Sequence, residues 1–223
     1  MKKQLSPSMM CCDFLNLKEQ LKVFEEQKIE YLHIDVMDGS FVPNYTLGTD
    51  FIKKLHGTTS IPLDVHLMID RPEDKIEWFD FKESDVVSVH YESTNHLQRT
   101  IQRIKDRGAK AMVAINPATP VSMIEEVLDD IYGVLIMTVN PGYAGQSLIP
   151  NCLNKISKTR AFLDAHGKNE TLIEVDGNVS FKNAKLMHDA GADIFVAGTS
   201  SLFIDENLES NIIKFKKEVF GNV

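Results

Sequence analysis

The stretch YLHIDVMDG, residues 31–39, decides how the rest of the chain can fold. In a β-strand successive side chains point to opposite faces, so the aliphatic residues at 32, 34 and 36 would share one face and Tyr31, His33 and Asp35 the other. A parallel strand that is buried on both faces is normally almost entirely aliphatic. Buried charged groups persist where they are paired or bind a metal ion. Two interpretations therefore stay open, a hydrogen-bonded core histidine or a ligand-binding site.

The composition argues against several functional classes. The 223 residues are 43% hydrophobic and 25% charged, as in ordinary globular proteins. The formal net charge of −8 argues against nucleic acid as a partner, because phosphate backbones bind basic surfaces, but a small phosphorylated substrate needs only a local anion site. Residues 1–10 lack the apolar segment of a signal peptide, and no apolar run is long enough to span a membrane. Three cysteines, two of them adjacent, favour a reducing cytosol over a disulfide framework, so we expect a cytoplasmic protein.

Short aliphatic runs alternate with helical patterns along the whole chain. The predicted strands are residues 4–8, 31–38, 61–68, 86–89, 110–115, 133–138, 172–176 and 194–197. Helical patterns lie between them and after the last one. Eight strands that alternate with about eight helices are typical of a (β/α)8 barrel. Since no linker or composition shift suggests a second domain, we predict an α/β fold in which residues 1–223 form a single TIM barrel.

Terminal signals place three of the predicted helices. Asn16 and Glu19 have the spacing of a capping box, in which two side chains cap the first turn of a helix. Asp70 would cap a second helix that carries Pro72 in its first turn. Thr119, followed by a proline, would open a third helix that runs through residue 128.

Polar side chains and methionines occur at the predicted carboxyl ends of the strands, where barrel enzymes carry their active sites. The residues at these ends are Ser8, His33, Asp35, His66, Met68, His90, Asn116, Met137 and Asp176. Two histidines and two carboxylates from three strands could form a four-ligand metal site, consisting of His33, Asp35, His66 and Asp176. Asp64 and Glu174 share the inward faces of two of these strands. The alternative is a set of separate, solvated side chains.

Glycine-containing turns follow three consecutive strands, with the sequences PGYAGQ (141–146), DGN (176–178) and AGTS (197–200). Backbone amides that glycines expose, together with the start of a short helix near Ser200, can bind an anion without any lysine. TIM barrels often bind a phosphate group after strands seven and eight. The alternative is that these glycines only permit tight turns.

A metal ion that faces two carboxylates beside a phosphate site suits chemistry at a carbon next to a carbonyl. Removal of a proton there forms an enediolate, whose negative oxygens a divalent metal can stabilise. One carboxylate can remove the proton from one face, and a second can return it to the other face and so invert the centre. Asp35 and Asp176, on the second and seventh predicted strands, are the candidates for this pair.

Four blocks of the sequence resemble the ribulose-phosphate 3-epimerase family: HIDVMDGSFVPN (33–44), DVHLM (64–68), MTVNPGYAGQ (137–146) and EVDG (174–177). The resemblance covers nearly the whole chain and implies a metal-dependent barrel isomerase that inverts C3 of a ketose phosphate. It implies that one divalent ion (Zn, Fe, Mn, Co or Mg) is bound by His33, Asp35, His66 and Asp176, and that Asp35 and Asp176 are the acid/base pair. Because members of this family are usually dimers or hexamers, we also expect a homo-oligomer.

The same resemblance, together with the glycine turns, implies a substrate-binding set. Its members are Ser8, His66, Gly142, Tyr143, Ala144, Gly145, Gly177, Asn178, Gly198 and Thr199. Three methionines match those that line the site in the family, namely Met37, Met68 and Met137. Methionines at such positions could equally fill the core.

The chain departs from the usual family pattern near the predicted phosphate site. Residues 11–13 read Cys-Cys-Asp in place of Ser-Ala-Asp, Ala144 and Asn178 each replace a glycine, and residues 198–200 read Gly-Thr-Ser in place of Gly-Ser-Ala. Several of these features look like the branch that acts on allulose 6-phosphate. They favour the conversion of D-allulose 6-phosphate to D-fructose 6-phosphate, with D-ribulose 5-phosphate to D-xylulose 5-phosphate as the alternative.

Two other classes of barrel protein are alternatives to an epimerase. Barrels that decarboxylate keto-sugar phosphates should carry a lysine flanked by aspartates at a strand end, and the sequence shows none. A non-catalytic protein that only binds a sugar phosphate is the third reading, and a metal-dependent turnover assay separates it from an enzyme.

Overall fold

The alternating segments of the sequence form a barrel of strands surrounded by helices. The computed structural model describes residues 3–221, so the predicted domain limits, 1 and 223, lie outside the described residues. Its strands are β1 (Gln4–Pro7), β2 (Leu32–Asp38), β3 (Tyr45–Thr46), β4 (Leu63–Met68), β5 (Val86–His90), β6 (Lys110–Ile115), β7 (Gly133–Met137), β8 (Leu172–Asp176) and β9 (Ile194–Ala197). Its α-helices are α1 (Leu17–Glu26), α2 (Thr49–His56), α3 (Leu97–Asp106), α4 (Asn151–Ala165), α5 (Phe181–Asp189) and α6 (Leu208–Phe215). Within residues 3–221, no helix combines the length and the apolar character needed to cross a membrane.

One sheet, in the order β1-β9-β8-β7-β6-β5-β4-β2-β3, forms the barrel wall. Its neighbouring strands are parallel except β3, which pairs antiparallel with the end of β2. The barrel closes between β1 and β2, where Ser8 and His33 form a parallel bridge and the Tyr31 amide donates a hydrogen bond of 3.4 Å to the Leu5 carbonyl. This topology confirms the predicted TIM-barrel fold. The short strand β3 is an addition that the sequence did not indicate.

The two faces of β2 bury different kinds of side chain, as the alternation predicted. Leu32, Ile34 and Val36 belong to the large apolar core between the barrel wall and the helices. The opposite face points into the barrel, where Tyr31 joins an apolar cluster near the amino-terminal ends of the strands. Further along the strands lies a layer of buried polar side chains, consisting of Ser6, His33, Asp64, His66 and Glu174. Beyond this layer, at the carboxyl ends, an apolar cluster is formed by Met37, Val42 and Met68.

Three helix predictions are wrong in their details. Asn16 makes no side-chain cap to α1, and Asp13 instead caps a preceding 3-10 turn by accepting a backbone amide at 2.9 Å. After residue 70 the chain forms two 3-10 turns, because Arg71 has a left-handed backbone with φ 46° that a right-handed helix cannot include. Residues 121–127 also form a 3-10 helix, and their buried Ile124 and Val127 are three residues apart, which is the repeat of that helix.

Asp38, at the end of β2, holds two loops together. Its Oδ1 accepts the amides of Ser40 at 2.9 Å and Phe41 at 3.1 Å, and its Oδ2 accepts the amide of Asp70 at 2.9 Å and Lys75 Nζ at 2.8 Å. Burial would raise the pKa of Asp38, but these donors, Lys75 foremost, outweigh it and lower the pKa to about 2. The ionised carboxylate therefore stabilises the fold.

We expect Asp38→Asn to lower the free energy of unfolding by about 1–3 kcal/mol at pH 7, because an amide nitrogen cannot accept the bonds that Oδ2 accepts. The pKa of Asp38 is depressed in the folded protein, so its contribution is present above pH 4 and is lost as the pH falls toward 2. Urea unfolding at pH 7 and pH 3 should show a smaller difference between wild type and variant at pH 3. The exposed Glu83 offers a matched control in Glu83→Gln. Equal stabilities of wild type and Asp38→Asn at pH 7 would contradict this role.

Candidate active site

The four predicted metal ligands converge at the carboxyl end of the barrel. His33 and Asp35 come from β2, His66 from β4 and Asp176 from β8, and one donor atom of each lies within 4.8 Å of all the others. His33 Nε2 is 3.3 Å from Asp35 Oδ1, and His66 Nδ1 is 3.5 Å from Asp35 Oδ1 and 3.7 Å from Asp176 Oδ2. The register places His66 directly beside Asp35 on the neighbouring strand. Strand pairing thus brings together residues that are far apart in sequence.

This donor set fits a divalent cation. His33 Nε2 and His66 Nδ1 are buried and have no hydrogen-bond partner among the described residues. Buried polar atoms are normally paired, so two such nitrogens facing two carboxylates are best explained as ligand atoms. Two imidazole nitrogens and two carboxylate oxygens suit Zn, Fe(II), Mn or Co. The geometry therefore supports a metal site over separate solvated side chains.

The second nitrogen of each of the two candidate histidine ligands, His33 and His66, has its own partner. His33 Nδ1 lies 2.6 Å from Asp64 Oδ2, which also accepts the hydroxyl of Ser6 at 2.9 Å. His66 Nε2 lies 2.8 Å from His90 Nε2. Burial lowers the pKa of His66, and it lowers the pKa of His90 to about 4, so that both rings are neutral at pH 7. Partners of this kind orient the rings of metal-binding histidines.

The two carboxylates of the site have opposite pKa shifts. Burial raises the pKa of Asp35, but the neighbouring His33 outweighs this effect and lowers the pKa below its usual range. Burial and then the negative charge of Asp35 raise the pKa of Asp176 to about 7. Two carboxylates that face one point repel each other, and a bound divalent cation would relieve this repulsion and lower the pKa of Asp176.

Glu174 lies behind His33, deep in the barrel. Its Oε1 is 3.5 Å from His33 Nδ1, and the side chain is fully buried. Burial and the negative charge of Asp64 raise the pKa of Glu174 well above its usual value. The inward position of Asp64 and Glu174 follows from the strand pattern, whereas their contact with His33 is visible only in the structure.

A cavity opens beside Asp35 and Asp176, two of the four proposed ligands. The predicted site residues that line it are Ser8, Asp35, Met37, Met68, Met137, Gly142, Tyr143, Ala144, Gly145, Asp176, Gly177, Asn178, Gly198 and Thr199. His66, also predicted to bind substrate, is fully buried and does not line this cavity. The cavity therefore brings two of the four proposed metal ligands, Asp35 and Asp176, together with the methionines and the glycine turns, while the rings of His33 and His66 lie outside its lining.

The glycine turns form one end of this cavity. Gly177 has φ 117°, and a Cβ atom there would lie 2.6 Å from a methyl group of Val139. The turn therefore requires glycine even without a bound anion. Gly198 has ordinary backbone angles, but a Cβ atom would lie 3.1 Å from Cys11 Sγ. Since neither lysine nor arginine is among the residues that line the cavity, backbone amides and hydroxyl groups are the donors available to an anion.

Asn178 has a structural contact that its sequence position did not indicate. Its backbone is left-handed, with φ 49°, and its Nδ2 donates to the Gln146 carbonyl at 2.6 Å. Asn183 Nδ2 in turn donates to Asn178 Oδ1 at 2.7 Å. Asn178 therefore connects the turn after β8 to the loop after β7.

Several residues near the site were missed at the level of sequence. Met10 and Asn140 line the cavity, as do Cys11 and Gln146, which the sequence placed near the phosphate site without naming them as substrate-binding residues. Glu92 Oε2 lies 3.2 Å from His90 Nδ1, outside the cavity. A carboxylate two residues after a strand-end histidine was the signal that could have identified Glu92.

Solved structures of other proteins share this fold. The orotidine 5'-phosphate decarboxylase of Pyrococcus horikoshii matches with a TM-score of 0.68 at 15% sequence identity, covering 98% of this chain and 100% of that chain. A tryptophan synthase alpha-subunit from Pyrococcus furiosus gives a TM-score of 0.66 at 12% identity, covering 100% of both chains. At these identities the likeness shows the fold alone.

Comparison of the sequence with known proteins identifies the family as well as the fold. The model of the Ribulose-phosphate 3 epimerase family matches residues 4–203. A ribulose-phosphate 3-epimerase from Bacillus subtilis is 46% identical over 197 residues, which cover 88% of this chain and 91% of that protein. The chloroplastic ribulose-5-phosphate-3-epimerase of Arabidopsis thaliana is 48% identical over 198 residues, which cover 88% of this chain and 70% of that protein. The chain therefore belongs to the ribulose-phosphate 3-epimerase family of isomerases.

Proposed function

We propose that this protein is a metal-dependent epimerase that interconverts D-ribulose 5-phosphate and D-xylulose 5-phosphate by inverting C3. The observation that carries the proposal is the convergence of four donor residues beside a cavity that ends in glycine turns. The substrate is taken from the relatives, since the proteins from Bacillus subtilis and Arabidopsis thaliana are named for ribulose phosphate. One domain would carry the whole site, because its ligands come from β2, β4 and β8.

A six-carbon substrate is the second candidate. The sequence departures favoured D-allulose 6-phosphate, but the relatives support the five-carbon substrate better. The residues that depart from the family pattern and line the cavity are Cys11, Ala144, Asn178 and Thr199. This position beside the substrate is the observation that favours the second candidate. They surround the end of the cavity where an extra carbon would shift the phosphate group.

A parallel assay decides between the two substrates. We expect the metal-loaded protein to epimerise ribulose 5-phosphate with a higher kcat/KM than allulose 6-phosphate. The reverse ranking would support the six-carbon candidate. Absence of turnover on both, with metal bound, would indicate a protein that only binds sugar phosphates.

Asp35 and Asp176 are the proposed acid/base pair. Their strands are three apart around the closed barrel, in the order β2-β1-β9-β8, so the two carboxylates reach the substrate from different sides. Asp35 is ionised, and the hydroxyl of Ser8 donates to its Oδ2 at 2.9 Å and orients it. Asp35 would remove the C3 proton on its own side of the substrate. Asp176 would supply a proton to the other face, and the two roles would exchange in the reverse direction.

The acid/base pair would also help to hold the ion, and three methionines would shield the intermediate. His33, Asp35, His66 and Asp176 would bind the divalent ion, whose positive charge stabilises the negative oxygens of an enediolate. Three cavity-lining methionines would cover the planar intermediate with apolar, polarisable side chains and exclude water, namely Met37, Met68 and Met137.

A homo-oligomer, which the family resemblance implies, stays a prediction that light scattering on the purified protein can test.

Gly198→Val is expected to raise KM for the sugar phosphate about tenfold or more with a smaller change in kcat. The new side chain would meet Cys11 Sγ and fill space that the phosphate group needs in order to reach the backbone amides. Steady-state kinetics on the metal-loaded variant measure the effect. Gly48→Val is the matched control, because a Cβ atom there meets no other atom within 4 Å and Gly48 does not line the cavity. An unchanged KM in Gly198→Val would count against this phosphate site.

A further inference from the structure

His90 and Glu92 form a hydrogen-bonded chain that ends on a metal ligand. His66 Nε2 is 2.8 Å from His90 Nε2, and His90 Nδ1 is 3.2 Å from Glu92 Oε2. The two imidazole rings are fully buried and stacked, with centroids 5.0 Å apart. We propose that His90 and Glu92 are positioning residues that fix the tautomer of His66, so that its Nδ1 lone pair faces the metal. This inference rests on the metal site of the proposed function.

The positions of the protons follow from the donor and acceptor capacities of the three groups. Hydrogen bonds from His90, Thr119 and the amide of Asn116 outweigh the effect of burial and lower the pKa of Glu92 to about 2, so this carboxylate is ionised. It can only accept, so His90 Nδ1 must carry a hydrogen. The neutral ring of His90 then has its lone pair on Nε2, and the single hydrogen between the two rings belongs to His66 Nε2. His66 is left with a lone pair on Nδ1.

That lone pair is on the atom that the metal site needs. His66 Nδ1 is the buried nitrogen without a hydrogen-bond partner among the described residues. It lies 3.5 Å from Asp35 Oδ1 and 3.7 Å from Asp176 Oδ2. In the other tautomer a hydrogen on Nδ1 would point at the cation and prevent coordination.

A backbone amide at the Glu92 end decides which group donates and which accepts in these hydrogen bonds. Glu92 Oε1 accepts the amide of Asn116 at 2.9 Å and also accepts the hydroxyl of Thr119. Since a backbone amide can only donate, the atom at this position must be an acceptor. The loop after β6 thereby determines which atom of residue 92 faces His90.

The substitution Glu92→Gln distinguishes control of the His66 tautomer from a role in packing, because glutamine has nearly the same shape as glutamate. The amide of Asn116 requires the glutamine oxygen on its side, so the glutamine NH2 group would face His90 Nδ1 and donate to it. Each hydrogen bond of the chain then reverses, and His66 carries its hydrogen on Nδ1. A role in packing alone would leave the metal site unchanged.

The test is the affinity for Co²⁺ or Zn²⁺, measured by competition with a chelator on purified, metal-stripped protein. We expect Glu92→Gln to weaken metal binding about 10–100-fold, with an altered absorption spectrum of bound Co²⁺ and little change in the melting temperature of the metal-free protein. Glu77→Gln, which removes the same charge from an exposed ion pair with Arg107, is the control and should bind metal like the wild type.

A double-mutant cycle shows whether the effect passes through His90. In a His90→Gln background the chain is already broken, so adding Glu92→Gln should weaken metal binding by no more than about twofold. Wild-type affinity in the single variant Glu92→Gln, or an equal loss in both backgrounds, would overturn the inference. Failure of the wild-type protein itself to bind a divalent ion would instead overturn the proposed metal site.

Discussion

Asp176→Asn is expected to lower the rate of epimerisation by about 10²–10⁴-fold, which is the usual contribution of a general acid/base group. Asparagine keeps the shape of the side chain but can neither take up nor deliver the proton. Inversion at C3 needs a group on each side of the planar intermediate, and Asp35 would remain on one side alone. Because Asp176 is also a proposed metal ligand, occupancy must be measured by elemental analysis beside the rate.

Isotope exchange makes this prediction sharper. If the variant still holds its metal, Asp35 can remove and return the proton on its own face, so deuterium from solvent should enter C3 of one epimer without net epimerisation. Nuclear magnetic resonance of the recovered sugar phosphate measures this incorporation. Asp164→Asn, at an exposed carboxylate that pairs with Arg160, is the matched control and should leave the rate unchanged. The assignment is falsified if metal-loaded Asp176→Asn interconverts the epimers at the wild-type rate.

Removal of the divalent ion is expected to abolish activity, and its return should restore it. Without the positive charge, the enediolate oxygens would develop in a buried site beside the carboxylates of Asp35 and Asp176. Stripping with a chelator, followed by separate additions of Zn, Fe(II), Mn, Co and Mg, also identifies which ion supports turnover. Full activity in a preparation that elemental analysis shows to be metal-free would refute the metal site.

Thermal unfolding provides a second readout that does not depend on catalysis. An ion that binds only the folded chain stabilises it by about 2.7 kcal/mol at a concentration of 100 times its Kd. The melting temperature should therefore rise with metal concentration in the wild type. It should rise much less in His33→Ala, which removes one ligand nitrogen from the site. Equal increases in both proteins would place the ion elsewhere.

Local repetition in the sequence predicted much of this protein. The alternation in residues 31–39 correctly placed His33 and Asp35 inside the barrel, because the pleat of a strand repeats every two residues whatever the rest of the chain does. The count of alternating segments predicted the barrel, and parallel strands in a barrel present their carboxyl ends at one rim. The four proposed ligands therefore followed from strand ends and the family resemblance.

Backbone preference at single residues was a weaker guide. The turn at Gly177 was predictable, since its positive φ is a local property. Arg71 also has a positive φ, although arginine carries no such preference, and the predicted helix after residue 70 is replaced by 3-10 turns. The Arg71 amide there donates a hydrogen bond of 3.0 Å to the Ser93 carbonyl, a contact 22 residues away that no local preference could predict.

The partners of the ligands were decided only by the tertiary structure. Ser6 and Asp64, which orient His33, are 58 residues apart, and His66 and His90 are separated by 24. Their contacts depend on the register between strands and on closure of the barrel between β1 and β2, which the packing of the whole core determines. Glu92 is held by the amide of Asn116, a group that every residue type except proline possesses and that no sequence pattern can mark. The positions of the proposed ligands were thus predictable from local periodicity and the family resemblance, whereas the hydrogen-bond partners of His33 and His66 depend on long-range packing.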